Sequence, residues 1–255
     1  MLLDLLDEQI EKTIARLQGY EELVKDDGFF LAFSGGKDSC VLKALADMAG
    51  VKYDAHYQVT TIDPPELLRF MKEHHKDLAW DYPEKTMWQL IVEKRMPPTR
   101  LVRYCCKELK EGGGENRMVL TGIRWQESNA RKQRNMMESC YQGLGRRFLH
   151  PIIDWSEEDV WRFLKKYDIP YCSLYDEGHK RIGCVGCPMG GPQRYRDFKR
   201  WPHYEKMYKA AFQKCIDQRN ADGLKTNVKW QDGESMFSWW MDEKDQKPLD
   251  EGLFA

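Results

Sequence analysis

The chain has 255 residues, of which 42% are hydrophobic, 12% aromatic and 32% charged; that composition suits a packed core and excludes a wholly disordered chain. Forty basic against 41 acidic residues leave a net charge of -1, which excludes a general nucleic-acid coat protein. No apolar run approaches the roughly 18–20 residues that span a bilayer, and Met1-Leu2-Leu3-Asp4 puts an acid where a secretory signal needs bases, so a cytoplasmic protein with no membrane partner is expected. The predicted elements then alternate. Residues 2–24 read as a helix, with Leu3, Leu6, Ile10, Ile14 and Leu17 three and four apart. Phe29-Phe30-Leu31-Ala32-Phe33 is a continuous apolar run, the pattern of a strand buried on both faces. A Ser-Gly-Gly loop follows, then a helix over 38–49 closed by Gly50. Residues 53–59 form a second strand. Asp63 is expected to cap the next helix, with Pro64 first inside it and Glu66 completing a capping box. Thr86 and Gln89 do the same for a helix over 87–95. Gly112-Gly113-Gly114 marks a flexible loop. Residues 118–123 are a third strand and 147–149 a fourth, Ser156 caps a helix to about Tyr167, and 193–219 is helical with a break at Trp201-Pro202.

Strands alternating with helices imply βαβ units. The expected fold is therefore α/β: a Rossmann-like, mostly parallel sheet with flanking helices, plus a helical C-terminal part. The expected division is an N-terminal helix (1–27), a nucleotide-binding α/β domain (28–170) and a cysteine-bearing helical part (171–255). Charge is uneven along it. Residues 100–134 carry nine bases against four acids, and 180–200 carry six against one; beside glycines and cysteines such clusters point to an anionic ligand.

Ser34-Gly35-Gly36-Lys37-Asp38-Ser39 lies between the first strand and its helix. Two glycines let the backbone approach an anion with its N–H groups exposed. The helix start adds a favourable dipole field, and Ser34, Lys37 and Ser39 add donors and charge. The loop is not a Walker A sequence, because Asp38 follows Lys37 where Ser or Thr is required.

This hexapeptide resembles the PP-loop of ATP pyrophosphatases, which cleave ATP between the α and β phosphates. Thr61-Ile62-Asp63-Pro64-Pro65-Glu66, Gly122-Ile123-Arg124-x-x-Glu127-Ser128-x-x-Arg131, Pro151-Ile152-Ile153-Asp154-Trp155, Leu174-Tyr175-Asp176 and Arg181-Ile182-Gly183-Cys184 follow in order. Together they resemble the phosphoadenosine-phosphosulfate (PAPS) reductase family, with its adenine nucleotide alpha hydrolase-like fold. The resemblance implies that Ser34, Gly35, Gly36, Lys37, Asp38, Ser39, Thr61, Gly122, Arg124, Glu127 and Ser128 bind the nucleotide. It also implies that Lys37, Arg124 and Arg131 stabilise charge in the reaction. Arg124 and Arg131 have forked donors suited to phosphate or sulfate oxygens; Glu127 either orients one of them or helps to hold Mg²⁺.

Eight cysteines in a reducing compartment are not expected to form disulfides. Cys40, Cys140, Cys172 and Cys215 stand singly, while Cys105-Cys106 and Cys184-x-x-Cys187 are paired. Four thiolates can hold a tetrahedral zinc ion or a [4Fe–4S] cluster. Adjacent side chains reach one small ion with difficulty, whereas a cubane spreads its ligands over four irons. The same arrangement occurs in iron–sulfur members of the family, including assimilatory adenylylsulfate reductases and a DNA phosphorothioation enzyme, so the resemblance implies a [4Fe–4S] cluster on Cys105, Cys106, Cys184 and Cys187.

Assimilatory reductases attack the sulfonucleotide with a cysteine in a mobile C-terminal tail. Here no cysteine follows Cys215, which lies in a helical pattern as a half-buried packing residue, so that route is not expected. The implied activity is ATP-dependent adenylation and thiolation of an acceptor, with ATP or a sulfonucleotide (APS or PAPS) as ligand. The alternatives are reduction of APS or PAPS to sulfite, and a nucleotide-binding subunit without turnover. Implied partners are a nucleic-acid or small-molecule sulfur acceptor, a redox partner and a second copy of the chain. His74, His75 and His179 are read as surface groups or groups behind the ligands, Trp155, Trp161, Trp239 and Trp240 as packing residues, and Cys40 as a small core residue.

Overall fold

The computed structural model describes residues 5–24, 27–139, 144–225 and 227–242. Residues 1–4, Cys140 and the stretch 243–255 lie outside them. In chain order the elements are α1 (Leu5–Glu21), β1 (Phe29–Ala32), α2 (Lys37–Ala49), β2 (Tyr53–Gln58), α3 (Pro65–His74), β3 (Ala79–Asp81), α4 (Met87–Glu93) and α5 (Tyr104–Leu109). Then come β4 (Met118–Leu120), β5 (Met137–Ser139), β6 (Arg147–Leu149), α6 (Glu157–Lys166), α7 (Gln193–Arg200), α8 (Pro202–Ala221) and α9 (Gly233–Met241). They group into two compact units interleaved along the chain: 1–58, 65–81 and 113–182 in one, 59–64, 82–112 and 183–255 in the other.

The first unit holds the whole sheet, in the order β3-β2-β1-β4-β6-β5. Every neighbouring pair is parallel except β5 with β6. β1 lies between β2 and β4, so the strand order reverses beside it and the loop that leaves it opens at the switch point, where α/β sheets bind ligands. Phe29 and Leu31 are fully buried in β1, as its apolar run requires. β3 and β5 escape sequence reading because each is three residues long and neither Ala79-Trp80-Asp81 nor Met137-Glu138-Ser139 alternates clearly.

α1 buries Leu6, Ile10, Thr13 and Leu17. Its Thr13 hydroxyl accepts the Trp155 indole N–H at 2.9 Å, and Arg16 forks onto the Asp154 carboxylate at 2.7 and 2.6 Å. Burial alone would raise the Asp154 pKa, but the bonds from Arg16 and Lys12 outweigh it and hold the carboxyl well below the usual carboxylate range. α2 ends at Gly50 in the left-handed conformation, with the Gly50 N–H on the Asp47 carbonyl, and Thr86 and Ser156 form the expected capping boxes.

Three expectations change. Asp63 does not cap a helix: its carboxylate accepts the Thr60 hydroxyl at 2.5 Å, and α3 starts only at Pro65. Thr60 and Asp63 are both buried, and a buried carboxylate takes the nearest strong donor. Gly113 and Gly114 are a packed turn, since a Cβ on Gly113 would stand 2.7 Å from the Phe30 ring. His75 is buried between Phe33 and Phe70, not on the surface.

The second unit is helical and aromatic. α8 packs against α4, α7 and α9 around Phe198, Tyr208, Phe212, Phe237 and Trp240. α7 stops at Arg200 and α8 restarts with Pro202 in its first turn, where a missing N–H does no harm. Cys215 is fully buried in α8, deeper than its pattern suggested. Trp155, Trp239 and Trp240 are packing residues, as expected. No helix among the described residues is long and apolar enough to cross a membrane.

Candidate functional site

The glycine loop forms where β1 hands the chain to α2. Gly35 has φ +73°, and a Cβ there would stand 2.7 Å from Leu67 Cδ1 and 2.8 Å from Met71 Sδ; only glycine turns this corner without strain. Gly36, the N-cap of α2, has an ordinary φ of -76° and nothing within 3.4 Å of where its Cβ would be. That position is lined by two hydroxyls, Tyr175 Oη at 3.4 Å and Ser34 Oγ at 3.5 Å. Ser39 donates its hydroxyl to the Gly36 carbonyl at 2.8 Å, and Ser34 lies beside it, its hydroxyl 3.3 Å from that of Ser39.

Lys37 is the charge of the loop. Its side chain is 5% exposed, with the ammonium 3.3 Å from Asp38 Oδ2, 3.8 Å from Glu157 Oε1 and 5.6 Å from the centre of the Tyr175 ring. The Lys37 backbone N–H donates to the Tyr175 hydroxyl at 3.0 Å. A buried ammonium with nearby carboxylates is stable without ligand and is a ready partner for phosphate oxygens.

The segment after β4 supports this loop. A Cβ on Gly122 would stand 3.1 Å from the Asp38 carbonyl carbon, so glycine there permits close approach to the start of α2. Arg124 is 2% exposed; its Nε donates to Asp38 Oδ1 at 2.6 Å and an Nη to the Trp155 carbonyl at 3.3 Å. Arg124 thus orients Asp38 and ties the loop to the 151–155 turn. Glu127 accepts the Arg124 N–H at 2.9 Å and pairs with Arg131. Ser128 accepts the Arg131 N–H at 3.3 Å.

Thr61 and the four paired cysteines belong to the second unit. Thr61 has φ +66°, rare for a β-branched residue, and its hydroxyl accepts the Met87 N–H at the start of α4 at 3.0 Å. The Cys184–Cys187 turn is held on all sides. The Val185 N–H donates to the Ile62 carbonyl at 2.8 Å, the Tyr208 hydroxyl to the Val185 carbonyl at 3.1 Å, and the Gly186 N–H to Asp197 at 3.1 Å. Gly186 has φ +71°, and a Cβ there would stand 2.4 Å from the Phe198 ring. Cys105 and Cys106 open α5, which closes with the Lys110 N–H on the Cys106 carbonyl at 2.9 Å.

The four thiols interact. The hydrogen bond within the pair pulls the Cys106 thiol down and pushes Cys105 up; Cys105 also senses Cys184 and Cys187. Burial pushes the Cys184 thiol up to about 12 despite the adjacent Lys110 ammonium. Among the described residues no group of three or more His, Cys, Asp or Glu side chains is arranged to hold a metal ion. The donor chemistry suits a thiolate-bound centre, but the thiols are not closed around one point.

Sequence reasoning missed Tyr175 as a partner of the loop, because 138 residues separate it from Lys37. It missed Glu157 for the same reason. Lys110 was accessible to it: it follows Cys106 by four residues, one helical turn, among bases already noted.

The parallel sheet with a glycine loop at its switch point defines an α/β protein of the adenine nucleotide alpha hydrolase-like class. A PAPS reductase from Candida auris, solved as a phosphate complex, shares the fold with a TM-score of 0.52 at 15% identity, covering 72% of this chain and 97% of that one. The family model described as "Phosphoadenosine phosphosulfate reductase domain" matches residues 28–189, and the chain belongs to that family. An uncharacterized protein of Methanocaldococcus jannaschii is 28% identical over 226 residues, 84% of this chain and 53% of its own length. An adenosine 5'-phosphosulfate reductase of Staphylococcus haemolyticus is 28% identical over 198 residues, 71% of this chain and 79% of its own. The chain spans about half the length of the Methanocaldococcus relatives that it matches over most of its own.

Proposed function

We propose that the chain is a nucleotide-binding enzyme of sulfur metabolism that takes ATP or a sulfonucleotide with its phosphates on the 34–39 loop. In its leading form it is a PP-loop enzyme that adenylates an acceptor, a nucleic acid or small molecule, for thiolation. The observation that carries this reading is Lys37, a buried ammonium in the first turn of α2 at the carboxyl end of β1. Lys37 exchanges the carboxylates of Asp38 and Glu157 for phosphate oxygens and stabilises the negative charge that builds on departing pyrophosphate. Arg124 positions Asp38. Arg131, half-buried and braced by Glu127, offers a second cation. Mg²⁺ would bind mainly through the phosphates with a single carboxylate, and Glu157, half-exposed beside Lys37, is suited to that role.

Cys105, Cys106, Cys184 and Cys187 are the residues that would hold a [4Fe–4S] cluster. A cubane spreads its four thiolates over different irons, which suits the adjacent Cys105 and Cys106 better than a single zinc ion does. Bound there, a cluster would supply sulfur or electron chemistry, with a redox partner, or would brace the fold. The test is pyrophosphate release from α-labelled ATP by anaerobically purified protein, with and without candidate acceptors. Lys37→Ala should reduce it at least about 100-fold; no release by the wild-type protein under any condition would end this reading.

The reductase likeness favours a second reading, conversion of APS or PAPS to sulfite. Cys40, Cys172 and Cys215 are buried, and burial pushes each of their thiols up. The attacking thiol would then come from outside the described residues, either Cys140 or a partner such as thioredoxin or glutathione. Sulfite formation with those thiols, and no pyrophosphate release, would select it.

A further inference from the structure

We propose that the Tyr175 hydroxyl is a binding residue of the glycine loop: it takes the Lys37 amide as acceptor and presents its own O–H to a phosphate oxygen of the nucleotide. This rests on the reading that the 34–39 loop receives phosphates.

The Lys37 N–H is one of the donors that an α-helix leaves unpaired in its first turn. In this protein it donates to the Tyr175 hydroxyl at 3.0 Å. A phenolic oxygen that accepts one hydrogen bond becomes a better donor through its remaining proton. That proton has no acceptor among the described residues. Burial pushes the Tyr175 hydroxyl up, so it stays protonated at neutral pH and donates.

The hydroxyl also lies on the loop itself. It is 3.4 Å from where a Cβ on Gly36 would be, with Ser34 Oγ at 3.5 Å from the same point. The ring is fixed edge-on to Trp161 at 5.3 Å, and the turn beneath it is held by the Tyr175 N–H on the Cys172 carbonyl at 3.1 Å. Lys37 places its ammonium over the same ring at 5.6 Å. An anion reaching Gly36 would meet a fixed O–H and a fixed ammonium together. Tyr175 therefore extends the reach of the helix amide by one hydroxyl rather than closing the site.

The test compares ATP, inorganic pyrophosphate and adenosine by calorimetry and competition, using the full chain and Tyr175→Phe. With phenylalanine the O–H is lost and the Lys37 amide faces a ring edge. ATP and pyrophosphate should bind about tenfold or more weakly, with adenosine unchanged. Unchanged or tighter ATP binding by Tyr175→Phe would overturn the inference, the tighter case meaning that the hydroxyl blocks the amide. An equal loss for adenosine would also overturn it, because packing alone would then be responsible. If Tyr175→Phe proves unstable, 3-fluorotyrosine at 175 keeps the shape and makes a stronger donor; it should tighten ATP binding, and no change would overturn the inference. A wild-type protein that binds no adenine nucleotide would instead remove the proposed function, and this inference with it.

Discussion

The glycine loop at 34–39 and the cysteine turn at 184–187 turn by the same means. Gly35 and Gly186 both adopt left-handed φ, +73° and +71°, with side chains packed where a Cβ would go. Both have a lysine nearby. Their electrical states differ. Lys37 is paired with Asp38 and Glu157, so an arriving anion exchanges one set of partners for another. Cys184 is a thiol held protonated by burial despite Lys110; it becomes a ligand only when a metal takes the place of its proton.

The hardest test of that contrast is Cys184→Ser, which should abolish stoichiometric iron and acid-labile sulfide in anaerobically purified protein while leaving ATP binding in place. Full iron in that variant would break the assignment of the quartet. Next come one corner glycine, Gly186, and Gly36, the neighbour of the other. Gly186→Ala drives a methyl into the Phe198 ring and should cost about 2–4 kcal/mol in denaturant unfolding. Gly36→Ala should leave stability within about 0.5 kcal/mol and weaken ATP binding; if it lowers stability as Gly186→Ala does, the Gly36 position has a structural role instead.

Acid should act on the first unit in two windows. His75 and His150 are buried, and burial lowers each from 6.5 to about 4. His150 meets Thr121 at 2.6 Å with Glu138 beyond. Their folded pKa values lie below the unfolded ones, so between them the unfolded chain binds more protons and stability falls as pH falls. Each ring should remove about 2 kcal/mol by pH 5, and His150→Gln should flatten that slope in chemical unfolding measured from pH 7 to 5. Asp154, held low by Arg16 and Lys12, contributes stability that is intact above the ordinary carboxylate range and disappears only below it.

The smallest expected effect is at α1, which lies before the family-matched residues. Arg16→Met should cost about 1 kcal/mol and, through Asp154, Trp155 and Arg124, weaken ATP binding by a few fold. Equal ATP affinity in Arg16→Met would show that α1 only packs.

Local chemistry made much of this protein legible in one dimension. The strand at 29–33, the caps at Thr86 and Ser156, Gly50, and the Trp201-Pro202 break depend on neighbours within a few residues, and their patterns carry the physics. The glycine loop and the two thiol pairs were visible for the same reason, since adjacent residues build each. Asp63 was misjudged because Thr60 competed for its carboxylate in a buried turn. β3 and β5 were invisible because three residues are too few for a period.

Tertiary structure alone decided the partners. That Arg124 bonds Asp38, that His75 is buried, and that the Tyr175 hydroxyl meets the Lys37 amide are outcomes of packing between segments 42 to 138 residues apart. Spacing in sequence sets which residues share a turn or a face. Which donor finds which acceptor across the fold is set by burial, where every polar group must find the partner that the packed chain leaves within reach.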